Sequence, residues 1–199
     1  QGHVQGTYSD SGINTGLAGK SGKNNRNVTG KLGLGIHYVE CHDNYTLFDK
    51  LAISYWQRAN DKTTTTTGNL FTKIGYDGLV EVKAENKLAA AYVFLSQGTA
   101  FINGGQEFLR TKRGNENSYN TSNTSSTSTN GIDLTFKDTY SDVYNTYKGL
   151  IALRRANPSA FGANASAKAE KVSTGVTKYT TGDFLVYFNA TDDAVNISA

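Results

Sequence analysis

The chain has 199 residues, and its 20 Lys and Arg against 17 Asp and Glu give a formal net charge of +3. This slight basic excess is spread along the chain, which argues against nucleic-acid binding because phosphate-binding surfaces cluster their cations. The single cysteine, Cys41, excludes an internal disulfide and a cysteine-based zinc cluster, and no apolar run is long enough to span a membrane. The length permits one domain, or one domain and a small second one.

Composition also bears on ligand class and origin. Aromatic residues make up 11% of the chain, beside many Asn, Thr, Gly and Asp. This mixture suits a carbohydrate surface, because rings stack on sugar faces and amides bond sugar hydroxyls. Methionine is absent even from position 1, so we expect a piece of a longer protein. The low Cys content and the Thr/Asn/Ser-rich composition favour a bacterial extracellular or cell-surface protein, with a cytoplasmic protein as the alternative.

The first third of the chain predicts loops, then a strand, then a helix. Residues 1–30 are rich in Gly, Asn, Ser and Lys and predict loops and turns. Residues 31–40 predict a strand, and the aromatic and β-branched side chains of 35–39 favour a buried position for it. Apolar residues at helical spacing from Leu47 predict a short helix that ends near Trp56.

The next segment predicts a second strand parallel to the first. Residues 58–77, which include the low-complexity run Thr63–Thr67, predict an exposed excursion. Residues 78–97 predict a long helix, with Gly98 as its C-terminal cap, and Thr99–Asn103 predicts a second buried strand. Each predicted strand is followed by polar residues. The order strand, helix, strand predicts a βαβ unit of an α/β barrel, in which sites lie at the strand C-termini.

The last part of the chain predicts a polar loop, a helix and a small β region. Residues 114–130 are almost wholly polar and predict a variable loop. Apolar spacing predicts an amphipathic helix that begins near Tyr140 and ends before Pro158. Strands over 172–180 and 184–188, separated by a turn, predict that a β domain begins there.

The polar cluster after the first predicted strand is the candidate site. His42, Asp43 and Asn44 are all able to hydrogen-bond a ligand, and they directly follow a strand as barrel site residues do. The alternative is that they form a polar turn that caps the next helix. Cys41 lies beside His42, but adjacent strand residues point to opposite faces, so we interpret Cys41 as a packing residue rather than a nucleophile.

Four stretches carry a resemblance to a known family. YVECHDNYTLFDKL (Tyr38–Leu51) resembles the strand-7 motif of glycoside hydrolase family 13, in the form carried by type I pullulanases. GTAFINGGQEFLRTKRGNENSYN (Gly98–Asn120) resembles the strand-8 segment of the same enzymes. YKGLIALRRANPSAF (Tyr147–Phe161) is similar to their last barrel helix, and GHVQG (Gly2–Gly6) is similar to a loop upstream of strand 7.

The resemblance implies a fold and an activity. The implied fold is α/β: the C-terminal portion of a (β/α)8 TIM barrel over residues 1–160, with strands 7 and 8 and their helices, then the start of an all-β C-terminal β-sandwich domain over 161–199. The implied activity is retaining hydrolysis of α-1,6-glucosidic bonds by a carboxylate nucleophile and a carboxylic acid. In this family both lie on strands 4 and 5, which the sequence does not contain, so we expect this chain to be inactive by itself.

The resemblance also implies roles for the residues after the first predicted strand and for part of the polar cluster that follows the second predicted strand (Gly104–Lys112, the second polar cluster). Asp43 is implied as the carboxylate that stabilises the transition state, and His42 and Asn44 as groups that bind the same sugar. Gln106 and Glu107 are implied to support the site by orienting neighbouring groups.

The remaining implied contacts lie further along the chain. Arg110 either forms a structural ion pair with Glu107, the interpretation that we favour, or lines the substrate cleft. Glu116 and Asn120 fall where family members bind the next sugar along. Asn117 and Tyr119 either line the substrate cleft or merely fold the loop.

Rival functions and partners follow from the same residues. The alternatives are a non-catalytic α-glucan-binding module and an α-1,4-acting amylase or amylopullulanase. The expected partners are α-glucans, namely pullulan, branched starch or glycogen limit dextrins, with no nucleic acid. No cofactor or metal site is predicted, and the sequence gives no indication for or against calcium.

Overall fold

The computed structural model describes residues 2–19, 35–63, 68–121, 125, 127–163 and 165–197. The helices of this described part are α1 (Asp10–Leu17), α2 (Leu47–Ala59), α3 (Leu70–Leu95), α4 (Phe136–Thr139), α5 (Ser141–Ala156) and α6 (Pro158–Phe161). Its strands are β1 (Ile36–His37), β2 (Thr99–Ala100), β3 (Ala167–Ser173), β4 (Val176–Thr181) and β5 (Phe184–Asn189), and short 3-10 helices cover His3–Gln5 and Gln106–Phe108.

The chain divides into two compact units. The first unit comprises Gln1–His37, Ala91–Phe101 and Leu150–Ala199, and the second comprises Tyr38–Ala90 and Ile102–Gly149. None of the helices in the described ranges combines the length and the apolar character needed to cross a membrane. The domain boundary expected at residue 160 stays a prediction.

The first unit contains an antiparallel sheet in the order β3-β4-β5. The sequence predicts a single strand over 172–180, but the structure interrupts it with a turn at 174–175. Gly175 adopts φ +77°, and a Cβ atom there would lie 2.8 Å from the Tyr8 ring, so both conformation and space require glycine. The predicted strand over 184–188 is confirmed as β5.

A helix precedes this sheet where the sequence predicts loops over residues 1–30. Residues 20–34 lie outside the described part, and α1 forms within the rest. In its first turn the Asp10 carboxylate accepts the Gly175 N–H at 3.2 Å and pairs with the Lys171 ammonium at 2.8 Å. Contacts with β3 and β4 thus stabilise a helix that its glycine-rich sequence does not favour.

The parallel pair β1 and β2 also belongs to the first unit. Ile36 lies opposite Thr99, and α2 and α3 connect the two strands in the chain, which confirms the predicted βαβ order. Residues 31–34 of the predicted first strand lie outside the described part; within 35–40 only Ile36–His37 form β1, and within 99–103 only Thr99–Ala100 form β2. Ile36 is 61% exposed and Thr99 is exposed, so the predicted burial of both strands is wrong. Among the described residues β1 pairs only with β2, which leaves one edge of each strand without a strand neighbour.

The helices of the second unit follow the prediction more closely. α2 begins at Leu47 as predicted and runs beyond the expected end to Ala59. α3 begins at Leu70, inside the stretch 58–77 predicted as an exposed excursion, of which 64–67 lie outside the described residues. Leu70 and Ile74 are buried, so this stretch has an apolar face that the prediction overlooked.

Aromatic stacking forms part of the core of the second unit. The Phe71 ring stacks on Phe48 with centroids 4.4 Å apart and on Tyr140 with centroids 5.4 Å apart, while Phe136 meets it edge-on at 5.3 Å. Such pairs stabilise a core beyond their buried area. The predicted helix after Tyr140 is confirmed as α5.

Candidate functional site

The predicted His42, Asp43 and Asn44 lie together at the exposed tip of a short loop, which we call the turn segment (residues 40–47). Asn44 adopts φ +63°, a left-handed conformation that Asn tolerates, and it reverses the chain there. At the base of the turn segment the Leu47 N–H donates to the Glu40 carboxylate at 2.8 Å. The three polar side chains therefore face solvent on a loop that is closed beneath them.

The alternative interpretation of these residues as a helix cap is wrong. Thr46 is the N-cap of α2, and its hydroxyl oxygen accepts the Asp49 N–H at 3.1 Å. Because the cap position is filled by Thr46, the side chains of Asp43 and Asn44 are not needed to satisfy the helix N-terminus.

Glu40 anchors the turn segment to the loop after β2, a role that the sequence analysis missed. The side chain is 3% exposed, and its second oxygen accepts from the Asn103 amide at 3.0 Å. The same amide nitrogen donates to the Cys41 carbonyl at 3.3 Å. Burial raises the pKa of Glu40 to about 7. The signal in the sequence was a lone carboxylate at the end of an apolar strand, beside the predicted cluster.

Asp49 is a second buried carboxylate that the sequence analysis missed. It is 0% exposed and accepts from the Thr111 hydroxyl, from the Lys112 N–H at 2.8 Å and from the Gly114 N–H at 3.1 Å. Burial raises the pKa of Asp49, and these donors act in the opposite direction. Asp49 therefore fixes the 110–114 loop against the first turn of α2. In the sequence it is an ordinary acidic residue at a helix N-terminus.

Lys112 interacts electrostatically with the two buried carboxylates, Glu40 and Asp49, and with Asp43 of the exposed turn. Its side chain is buried, which lowers the pKa of Lys112, while the negative charges of Asp49, Glu40 and Asp43 act to raise it. Within the described residues no group of three His, Cys, Asp or Glu side chains is arranged to hold a metal ion.

The favoured ion pair between Glu107 and Arg110 does not form. The 3-10 turn directs the Glu107 carboxylate back to the Gly105 N–H at 2.9 Å. The Arg110 guanidinium instead donates to the Asn130 carbonyl at 2.9 Å and to the Gly131 carbonyl at 3.4 Å. Arg110 therefore holds the end of the 114–130 loop, and it also lines a hollow of about 440 Å³ with Asn69, Phe71 and Asp133 among other residues.

Gln106 points into the helical core. Its side-chain amide donates to the Tyr147 hydroxyl at 3.0 Å, and that hydroxyl donates to Asn86 at 2.8 Å. All three side chains are buried, and burial raises the pKa of Tyr147 far above the neutral range. Gln106 thus fixes the start of the second polar cluster from below.

The polar loop brings part of the predicted set together. Glu116 and Asn117 line an open hollow of about 530 Å³ that also includes Tyr45 and Lys112, so it adjoins the turn segment. Tyr119 and Asn120 are exposed and lie outside its described lining, and residues 122–124 and 126 lie outside the described part.

The site as a whole exposes an imidazole, a carboxylate and an amide on a turn held by the buried Glu40. An open polar hollow adjoins this turn, and the buried Asp49 holds the neighbouring 110–114 loop. This arrangement presents donors and acceptors at a fixed spacing, as a polyhydroxylated ligand requires.

Comparison with known proteins identifies relatives that match more than half of this chain. The chain is 33% identical over 157 residues to a pullulanase of Bacillus subtilis, an alignment covering 78% of this chain and 18% of the relative. It is 26% identical over 133 residues to an isoamylase of Pseudomonas amyloderamosa, covering 62% of this chain and 17% of the relative. No family model matches the chain.

Solved structures agree with these relatives. A pullulanase variant from Paenibacillus barengoltzii in complex with maltotetraose superimposes with a TM-score of 0.74 and 28% identity, over 100% of this chain and 30% of that one. A type I pullulanase of Bacillus subtilis in complex with maltose gives a TM-score of 0.69 and 27% identity, over 92% of this chain and 24% of that one. The chain thus spans less than a third of the length of these relatives, and it belongs to the pullulanase and isoamylase group of glycoside hydrolase family 13.

Proposed function

We propose that this chain supplies one wall of the α-glucan site of a starch-debranching glycoside hydrolase that cleaves α-1,6-glucosidic bonds with retention. The observation that carries the proposal is the exposed His42–Asp43–Asn44 tip, which is held rigidly from below by Glu40. Related pullulanases bind maltotetraose and maltose in solved structures, which supports an α-glucan as the ligand class.

The three tip residues have distinct roles in this proposal. The Asp43 carboxylate accepts hydrogen bonds from hydroxyls of the sugar at the cleavage point and favours the distorted ring that precedes the oxocarbenium-like transition state. His42 and Asn44 bind the same sugar. Such contacts raise the rate only where they tighten in the transition state.

The neighbouring residues extend the contact surface. Glu116 and Asn117 bind the next sugar from the hollow that they line, with Tyr119 and Asn120 beside them on the exposed loop. Arg110 contributes by holding the far end of that loop. Gln106 and Glu107 support the site from the buried side.

Three carboxylates of the described site, namely Glu40, Asp49 and Glu107, are not available as a nucleophile or an acid. Glu40 and Asp49 are buried and already bonded to amide and hydroxyl donors, and Glu107 bonds its own backbone. A retaining enzyme needs two carboxyl groups about 5–5.5 Å apart on either side of the bond. We therefore propose that both groups belong to other strands of an intact parent, and that this chain alone is inactive.

The same proposal covers the fold. We infer that β1 and β2 correspond to strands 7 and 8 of a (β/α)8 barrel that occupies residues 1–160, and that the β3-β4-β5 sheet begins a C-terminal β domain over 161–199. The parallel pairing of β1 with β2 and the superposition on pullulanases support this assignment.

The test combines turnover and binding with the 199-residue chain. Reducing ends released from pullulan should stay at the level of the blank, and maltotetraose should bind with an affinity that falls at least about tenfold in Asp43→Ala and His42→Ala, as expected for the loss of a charged hydrogen-bonding group. Asp183→Asn, in the exposed turn before β5, is the matched control. Clear turnover of pullulan, or equal affinities across the set, would contradict the proposal.

A non-catalytic α-glucan-binding module is the second candidate, favoured because the buried carboxylates Glu40 and Asp49 are already engaged in hydrogen bonds. A chimera separates the two: the segment of the Bacillus subtilis pullulanase that matches this chain is replaced by it. If the turn is catalytic, the chimera releases reducing ends from pullulan and Asp43→Asn lowers kcat by at least about a hundredfold, the range of groups that act on the transition state. A product profile from pullulan against amylose separates α-1,6 from α-1,4 or dual specificity.

A further inference from the structure

One side chain, that of Glu40, joins the two ends of the turn segment by a hydrogen bond. Leu47 is the first residue of α2, so its N–H has no partner within the helix. That N–H donates to Glu40, seven positions earlier, at 2.8 Å. The bond joins both ends of the turn segment, and a carboxylate at this end of α2 is also favoured by the helix dipole.

The second contact of Glu40 ties the turn segment to a distant part of the second unit. Its other oxygen accepts from the Asn103 amide at 3.0 Å, and that amide also donates to the Cys41 carbonyl at 3.3 Å. Asn103 therefore holds the turn segment at two successive residues, immediately before His42 and Asp43.

We propose that Glu40 and Asn103 form a positioning pair that holds the turn segment so that His42 and Asp43 meet the sugar in one fixed geometry. The proposal rests on the proposed function, because it assigns this geometry to an α-glucan site. Neither residue touches the ligand: both act through the turn segment. The pair is built from one buried acceptor group with two oxygens and one half-buried donor amide, and an unmatched polar group at the buried carboxylate is unfavourable.

The chemistry of the pair predicts how each substitution behaves. Glu40→Ala leaves the Leu47 N–H and the Asn103 amide without their acceptor. Glu40→Gln can still accept from Leu47, but its amide then faces the Asn103 amide, donor against donor. Asn103→Asp sets two carboxylates against each other. In the double variant E40Q/N103D the new amide at position 40 donates to the new carboxylate at position 103, so the direction of the original hydrogen bond is reversed. The amide oxygen at position 40 still accepts from the Leu47 N–H.

Charged groups around the pair set the condition for the experiment. Asp49, Arg110 and Lys112 interact electrostatically with Glu40, while Tyr147, whose pKa is raised by burial, stays neutral. Because burial raises the pKa of Glu40 to about 7, the experiment is made at pH 8, where the carboxylate is ionised. All variants are compared at that pH, so the surrounding charges stay the same across the set.

The direct readout is the hydrogen exchange rate of the Leu47 amide, with the ring signals of His42 as a second probe of the turn. The chain has 3 histidines, so a His42→Gln spectrum assigns its signals. We expect exchange at Leu47 to speed up by about tenfold to a hundredfold in E40A, as for the loss of a hydrogen bond to a buried partner, and by a smaller factor in E40Q and N103D, which keep an acceptor for Leu47 but lose the matched contact between positions 40 and 103. The rate in E40Q/N103D should return to within about threefold of the parent.

Binding of maltotetraose is the functional readout. The affinity should fall in the three single variants and recover in E40Q/N103D, a pattern that a merely structural role for Glu40 does not produce. Glu81→Gln on α3 removes an exposed carboxylate from the same unit and should change neither readout.

The outcomes separate failure of the pair from failure of the site. Unchanged Leu47 exchange and unchanged His42 signals in E40A would overturn the positioning role. Faster exchange with unaltered maltotetraose affinity, in a chain whose affinity does depend on His42, would also overturn it and leave the proposed function standing. No maltotetraose binding by the parent chain would overturn the proposed α-glucan site, while Leu47 exchange would still decide whether the pair holds the turn segment.

Discussion

The turn segment and the 110–114 loop of the second unit are each held by one buried carboxylate, but the two carboxylates have different surroundings. Glu40 accepts from one backbone N–H and one side-chain amide, whereas Asp49 accepts from two backbone N–H groups and a hydroxyl. Burial raises the pKa of both groups, and that of Glu40 reaches about 7. Each donor that bonds a buried carboxylate favours its ionised form. Asp49, with more donors than Glu40, should therefore hold its loop more strongly.

This difference makes Asp49 the residue with the largest expected effect on stability. We expect Asp49→Ala to lower the free energy of unfolding by about 3–5 kcal/mol, because it leaves several donors without their acceptor and removes the carboxylate that acts most strongly on Lys112. Urea denaturation at pH 8 measures the loss. Asp49→Asn keeps the shape and should lose less. A loss below about 1 kcal/mol would show that the 110–114 loop is held by other contacts.

The pH dependence of stability tests the Glu40 side of the comparison. The folded chain binds the Glu40 proton more tightly than the unfolded chain, so the contribution of Glu40 to stability falls as the pH rises from about 4.5 through about 7. The full change amounts to about 3 kcal/mol. Glu40→Gln cannot titrate, so the difference in unfolding free energy between variant and parent should shift in favour of the variant between pH 5 and pH 8.5. Parallel profiles of parent and variant would contradict the raised pKa of Glu40.

The contrast between these loops also shows why the sequence predicts helices better than the site. α2, the later part of α3 and α5 follow from apolar spacing within each segment, and all three were predicted. Glu40 and Asp49 have bonding partners 63 positions away, at Asn103 and Lys112. No local pattern carries that information, so both carboxylates were missed although each adjoins the predicted cluster.

Two errors have the same physical origin. Glu107 and Arg110 are close in sequence and opposite in charge, which favours an ion pair, yet backbone partners at Gly105 and Asn130 take both side chains. α1 was predicted as loop because glycine lowers helix propensity, and its contacts with β3 and β4 override that propensity. In each case the deciding partner is one that charge and propensity do not reveal: a local backbone N–H for Glu107, and tertiary contacts for Arg110 and α1.

The hydrogen-bonded side chains of Gln106, Tyr147 and Asn86 are an uncharged counterpart to the two buried carboxylates. Tyr147→Phe should lower the unfolding free energy by about 2 kcal/mol, because it removes the hydroxyl that bonds both buried amides. Since burial raises the pKa of Tyr147 far above the neutral range, this loss should be equal at pH 6 and pH 8. Urea denaturation at both pH values provides the measurement, and Tyr76→Phe on the exposed face of α3 is the control. A loss that changes with pH would mean that the network is coupled to Glu40.

The smallest expected effect belongs to Thr46, which separates capping of α2 from anchoring of the turn segment. Thr46→Ala removes the bond to the Asp49 N–H and should lower the unfolding free energy by about 1 kcal/mol, the usual value for an N-cap. Thr46→Ser should retain most of the stability. Because Glu40 and not the cap closes the turn segment, Leu47 amide exchange under native conditions should change less in Thr46→Ala than in Glu40→Ala. Equal acceleration in the two variants would assign the geometry of His42 and Asp43 to the helix N-terminus instead of the buried carboxylate.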